Sequence, residues 1–287
     1  MSTERISPTA YYTGHVWCRN GLSHPSLDTR EGDLFFLALR PLMRAGRALT
    51  GGVALEEMLV QRHLIIDHLL STAIESGRVG QVLEIAAGLS GRGLRFARKY
   101  GDRGLVYVEG DLPGMAAQKR SRLARAGLDQ PNHHVVALDI LKDDGPGSVG
   151  GATAGLFDHK KGIAVITEGL LSYFDTPTTE GLWRRLAAFV APFQDDVYLS
   201  DLHLGARANV PAVAVFLRML GVFARGRIHM HFAQARDVAP ALARQGFAHV
   251  TVHRPVDWQA RLSLPGTGGL EVVQVLEATT RLDERSK

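Results

Sequence analysis

Five short apolar runs, each with an acid at or just past its C-terminal end, alternate with helix-length segments between residues 81 and 201. They are 81–86 with Glu84, 105–109 ending in Glu109 with Asp111 beyond, 134–138 before Asp139, 162–167 before Glu168, and 197–200 before Asp201. Apolar strands of this length are buried on both faces, and when they alternate with helices they build a parallel sheet. Helices are expected at about 93–100, 113–126 (Pro113 in its first turn) and 177–191. Two further runs, 248–252 and 270–275, close the sheet and are expected to be joined by a loop. The pattern predicts an α/β fold: a seven-stranded, mostly parallel Rossmann-like sheet with helices on both faces.

The stretch 81–96, QVLEIAAGLSGRGLRF, is the first strand, a small-residue turn and the start of a helix. Backbone N–H groups at such a turn can face a ligand, and Gly88 allows close approach. Gly88, Gly91 and Gly93 do not form G-x-G-x-x-G, because Ala86 stands in the first position. Glu84 would oppose a pyrophosphate and suits a ligand with cationic groups. In an open parallel sheet the strand ends border one crevice. S-adenosylmethionine gives Glu84, Asp111, Asp139 and Glu168 each a role. Asp111, with Leu112 beside it, accepts from the ribose hydroxyls. Asp139 accepts from the adenine amino group, with Ile140 against the ring. Glu168, followed by Gly169, and Glu84 offset the amino and sulfonium charges, and Glu109 lies beside them.

Residues 1–30 read as irregular but are rich in aromatic and imidazole groups. Tyr11, Tyr12, His15, Trp17 and His24 are candidate walls of a substrate pocket. A short helix over 33–47 is expected to break near Pro41, and 55–74 is the clearest amphipathic helix. The expected organisation is an N-terminal arm and helical cap (1–78) on a core (79–287), with a substrate-covering insertion after the fifth strand at about 203–232 and a helix over 233–245. His203, His229 and His231 are candidate general bases, and their spacing does not make a metal site. The formal net charge is +4 with no block of like charges, which gives no support for nucleic acid as a partner. Cys18 is the sole cysteine, and no apolar run reaches the roughly 20 residues that span a bilayer. The expectation is a cytoplasmic protein with a small-molecule substrate and no membrane or nucleic-acid partner; a homodimer stays open.

Five blocks carry a resemblance: QRHLIID (61–67), 81–96, YVEGDLPGMAAQK (107–119), ALDIL (137–141) and ITEGLLSYF (166–174). In this order and spacing the chain resembles the leucine carboxyl methyltransferase family, in particular its bacterial, polyketide-methylating branch. The resemblance implies a class I S-adenosylmethionine-dependent methyltransferase. It places Arg62 on the cofactor carboxylate, Ala86 and Gly88 in the glycine turn, and Arg92 and Arg95 as the arginines after it. It also places Asp111 at the ribose, Asp139 by the adenine, Glu168 beside the methionine portion and Tyr173 close to the site. The chain departs from the family at the turn, which reads Ile85-Ala86-Ala87-Gly88, and at its opening, which lacks the family's lysine- or arginine-containing segment. The implied reaction is methylation of a carboxylate on a polyketide-like or other secondary metabolite. The alternatives are methylation of a hydroxyl with a histidine base, or a non-catalytic protein that keeps the fold.

Overall fold

The computed structural model describes residues 8–49, 55–205, 228–266 and 273–281. Its seven strands are β1 (Gln81–Ile85), β2 (Val106–Asp111), β3 (His133–Ala137), β4 (Ile163–Thr167), β5 (Asp196–His203), β6 (His249–His253) and β7 (Val273–Thr279). They form one sheet in the order β3-β2-β1-β4-β5-β7-β6. β7 runs antiparallel to both β5 and β6, and the other pairs are parallel. The strand order reverses between β1 and β4, so the crevice of this sheet opens beyond the C-terminal ends of those two strands.

The helices among the described residues are α1 (Pro8–Arg19), α2 (Arg30–Leu49), α3 (Leu55–Glu75), α4 (Arg92–Lys99), α5 (Pro113–Arg125), α6 (Val149–Ala152), α7 (Thr176–Val190), α8 (Val238–Ala243) and α9 (Pro255–Leu262). Apolar side chains of α3 and α4, such as Ile65, Ile66, Leu70 and Phe96, cover one face of the sheet. Leu182, Trp183 and Leu186 of α7 and Val238 and Leu242 of α8 cover the other. Each fully buried Leu or Ile contributes about 1.5–3 kcal/mol by leaving water, which is why all-apolar strands are held between helices.

Four local expectations are corrected. Residues 8–19 are helical: Tyr12, Val16 and Trp17 form its buried face, and the first two pack on Leu59 and Val60 of α3. The aromatic residues that look irregular in isolation are that face. Helix α2 runs through Pro41. The missing N–H there leaves the Leu37 carbonyl without its helical donor, on a side where Leu37 is 52% exposed and water can reach it. The link from β6 to β7 contains α9, which starts at Pro255. The helix expected over 233–245 narrows to Val238–Ala243. The helix expected near Val213 to Leu220 lies outside the described residues.

Candidate active site

Strand register builds the site. Ile85, Gly110, Thr167 and Ser200 are paired across β1, β2, β4 and β5. One step further along the chain, Ala86, Asp111, Glu168 and Asp201 form a row at the edge of the sheet. A cavity of about 440 Å³ lies over this row. Its lining includes Arg62, Ala86, Gly88, Asp111, Leu112, Asp139, Ile140, Glu168, Gly169, Tyr173 and His203, together with Tyr12 and Trp17 of α1. Of the expected site residues, these thirteen are brought together.

Asp111 ties the turn to the strand. One of its oxygens accepts from the Gly88 N–H at 2.7 Å and the other from the Leu112 N–H at 2.7 Å. Burial raises its pKa, although both backbone donors oppose the rise. The turn carries a strained residue: Ala86 has φ 56°, a left-handed conformation that costs a non-glycine residue about 1–2 kcal/mol. Such strain at a crevice is held by its surroundings, here by the Ala86 N–H donating to the Gly110 carbonyl.

On the opposite side, Arg62 donates from Nε to Glu168 (3.0 Å) and from Nη1 to Asp201 (2.7 Å). Nη2 is the nitrogen that remains for a ligand. Asp201 also accepts from the Gly169 N–H at 2.6 Å. The Glu168 carboxyl would be raised by its burial, but His63, Arg92 and Arg62 hold it well below the ordinary range. Gly169 has φ +71°, and a Cβ built there would stand 2.9 Å from Arg62 Nη2. Gly169→Ala is therefore expected to displace Arg62 and to weaken binding of any carboxylate-bearing ligand by about 10–100-fold, the worth of one charged hydrogen bond. Calorimetry on the variant measures it.

Several expected contacts are corrected by geometry. Glu84 does not face the cavity. Its two oxygens accept from Arg92 Nη1 (2.6 Å) and from the Tyr107 hydroxyl (2.7 Å), beneath the row. Arg92 is fully buried and also reaches Glu168 at 2.6 Å and Asp67. Arg95 donates to the Leu22 carbonyl and to Asp67. These two arginines brace α3 against α4 and do not line the cavity. Glu109 lies in a separate buried cluster, with Lys119 Nζ at 2.6 Å and His133 Nε2 at 3.3 Å. Burial pushes its pKa up, but the Lys119 ammonium and the His133 ring outweigh this and hold it down at about 2.

The histidines divide. His203, the last residue of β5, lines the cavity. His231 stands away from it, with Nε2 3.0 Å from the Leu171 carbonyl and Nδ1 3.2 Å from the Thr176 hydroxyl. His229 donates its backbone N–H to the Ser172 carbonyl and does not line the cavity. In the arm, His15 contacts Asp28 at 3.0 Å and His24 accepts from the Ser26 N–H, so both serve the packing of the arm. Tyr11 also stands outside the lining. Tyr173 bridges to the cap, its hydroxyl 2.6 Å from Thr9 Oγ1.

Sequence reasoning missed Asp201 and His63. His63 has Nδ1 2.9 Å from Glu168 and Nε2 3.0 Å from Arg95 Nη2. The same Nδ1 also lies 2.8 Å from Arg92 Nη2, so the imidazole sits at the junction of the Arg92, Arg95 and Glu168 side chains. The signal for Asp201 was present, since it ends a strand as the other acids do.

The sequence profile described as leucine carboxyl methyltransferase matches residues 38–187, more than half of the 287-residue chain. A protein of Mycobacteroides abscessus, named as a candidate S-adenosyl-L-methionine-dependent methyltransferase, is 33% identical over 139 residues, which is 48% of this chain and 42% of that one. The match thus spans less than half the length of that relative. A candidate methyltransferase structure from Thermobifida fusca superposes with a TM-score of 0.63 at 12% identity, covering 98% of this chain and 97% of that one. A DUF574-family protein from Streptomyces avermitilis gives 0.60 at 12% identity, covering 96% and 98%. Both structural likenesses concern the fold.

Proposed function

This chain belongs to the leucine carboxyl methyltransferase family, and we propose that it is an S-adenosylmethionine-dependent O-methyltransferase of a small molecule. The observation that carries the reading is the acid row at the sheet edge with its unequal charge. The buried cluster behind it has four carboxylates (Asp67, Glu84, Glu168, Asp201) against three guanidinium groups (Arg62, Arg92, Arg95). The carboxylates outnumber the guanidinium groups by one, and the cavity lining itself carries three acids (Asp111, Asp139, Glu168) to one cation (Arg62). This favours a ligand with cationic groups and opposes a pyrophosphate.

The residues fit S-adenosylmethionine part by part. Asp111 has each oxygen fixed by one backbone N–H, which leaves oriented lone pairs for two neighbouring hydroxyls. Asp139 and Ile140 line the same cavity and are available to the adenine. Arg62 offers a cation to the ligand carboxylate, and Glu168 offers an acceptor to its ammonium. When bound, the cofactor supplies a methyl group on a positive sulfur. The protein's part is to hold the acceptor in line with that methyl and to exclude water, which the cap residues Tyr12, Trp17 and Thr13 favour by closing the cavity.

The family resemblance supports a carboxylate on a secondary metabolite as acceptor. A carboxylate is ionised at neutral pH and needs no base. The second reading, a hydroxyl acceptor, is favoured by His203 in the cavity wall. In the same proposal residues 1–78 act as the cap on a core of 79–287, in the cytoplasm and without a membrane or nucleic-acid partner. Calorimetry with S-adenosylhomocysteine, the demethylated product, tests the reading. Saturable one-to-one binding is expected. Its absence would favour a non-catalytic protein and sink the enzyme.

A further inference from the structure

We propose that the methyl acceptor is an aromatic hydroxyl and that His203 takes its proton, with the nearby Asp201 carboxylate stabilising the imidazolium. The inference rests on the cofactor reading above and decides between its two acceptors. Asp201 and His203 are two residues apart on β5, so their side chains leave the same face of the strand. Asp201 Oδ2 stands 3.8 Å from His203 Nδ1, and it is itself fixed by Arg62 and the Gly169 N–H. A carboxylate there stabilises the imidazolium that forms when a proton arrives. The apolar lining of the cavity that His203 enters is ring-rich: Tyr12, Trp17 and Phe174, with Leu170 and Ile228. They suit a flat aromatic body, as ligand sites built from rings and a few fixed polar groups do. The charged residues that line the cavity are Arg62, Asp111, Asp139 and Glu168, three acids to one base, a field that disfavours an anionic acceptor.

His203 is held in its basic form. Burial lowers its pKa, and Arg62 from α3 and His231 act in the same direction, while Asp201 opposes them. In the transfer, the acceptor oxygen gives its proton to His203 and forms its bond to the methyl carbon. The carbon–sulfur bond breaks and leaves its electron pair on sulfur. The products are a methyl ether, the neutral thioether and one proton, which leaves His203 for solvent.

The test uses one- to three-ring phenols and the matching arenecarboxylic acids as probes, with S-adenosylhomocysteine affinity measured alongside. Methyl ether from at least one phenol is expected, and no ester from the matching acids. His203→Ala should lower turnover by about 10²-fold or more with product affinity retained. Added imidazole should restore part of the loss, which a purely structural histidine would not allow. The native kcat/KM should fall on the acid side, below the ordinary histidine value, and His203→Ala should lack that limb. Ester formation, transfer to none of the probes, or full turnover in the alanine variant would each overturn the proposal. If S-adenosylhomocysteine fails to bind the native protein, the cofactor reading fails instead.

Discussion

Replacing Arg92 by Met is expected to lower the thermal midpoint by roughly 10 °C or more. Arg92 is fully buried and donates to three carboxylates: Asp67, Glu84 and Glu168. Met fills a similar volume but leaves Glu84 without a counter-charge and takes one cation from Asp67, which keeps Arg95, and one from Glu168, which keeps Arg62. Breaking a buried pair from one side costs about 3–5 kcal/mol, because the remaining charge is stranded. A domain holds only about 5–15 kcal/mol in total, so the change takes a large share. The three ion pairs share partners, so their losses are not additive. That suggests a second measurement. Glu84→Gln in the Met background removes the stranded charge and should recover part of the midpoint, whereas Glu84→Gln alone should destabilise. Arg92→Lys should lie between, since one ammonium cannot span three acceptors that a planar guanidinium reaches together. Thermal denaturation of the four variants settles it, and a midpoint for Arg92→Met within about 2 °C of the native chain would contradict the account.

That same arginine shows where sequence reading stops. The sheet was legible because its signal is local: five apolar runs with helices between them, each interpretable without its neighbours. The acids at the strand ends were legible for the same reason. What an acid touches is not local. Glu84 was expected at the ligand, yet Arg92 in the first turn of α4 and Tyr107 on the next strand consume both its oxygens. Asp201 passed without a role because its meaning comes from Arg62, 139 positions away in the chain. Helix α1 was hidden by composition: its aromatic and imidazole residues look irregular until α3 supplies the surface that buries Tyr12 and Val16. The profile of the family covers residues 38–187 and so leaves α1 out of its match, which is also where the chain's opening departs from the family pattern.

Asp111→Ala is expected to weaken S-adenosylhomocysteine binding by about 10²–10³-fold, the worth of two charged hydrogen bonds. The loss has a second source within the protein. Without the carboxylate, the N–H groups of Gly88 and Leu112 lose their acceptor, and the turn that carries strained Ala86 loses its tie to β2. Asp111→Asn does not repair this. One of its two positions becomes a donor, which faces a backbone donor in either orientation, so it should bind nearly as poorly as alanine. The pH dependence has a definite sign. Burial places the Asp111 pKa above the ordinary carboxylate value, and ribose hydroxyls prefer the ionised form. Affinity should therefore be full above that raised pKa and decline as pH falls through it, starting at a higher pH than an exposed aspartate would allow. Binding near that pH should release protons, because the ligand stabilises the ionised form. Calorimetry in two buffers of different ionisation enthalpy measures the release. Affinity that stays flat with falling pH in the native protein, or retained in Asp111→Ala, would place the ribose elsewhere and return the acid row to a purely structural role.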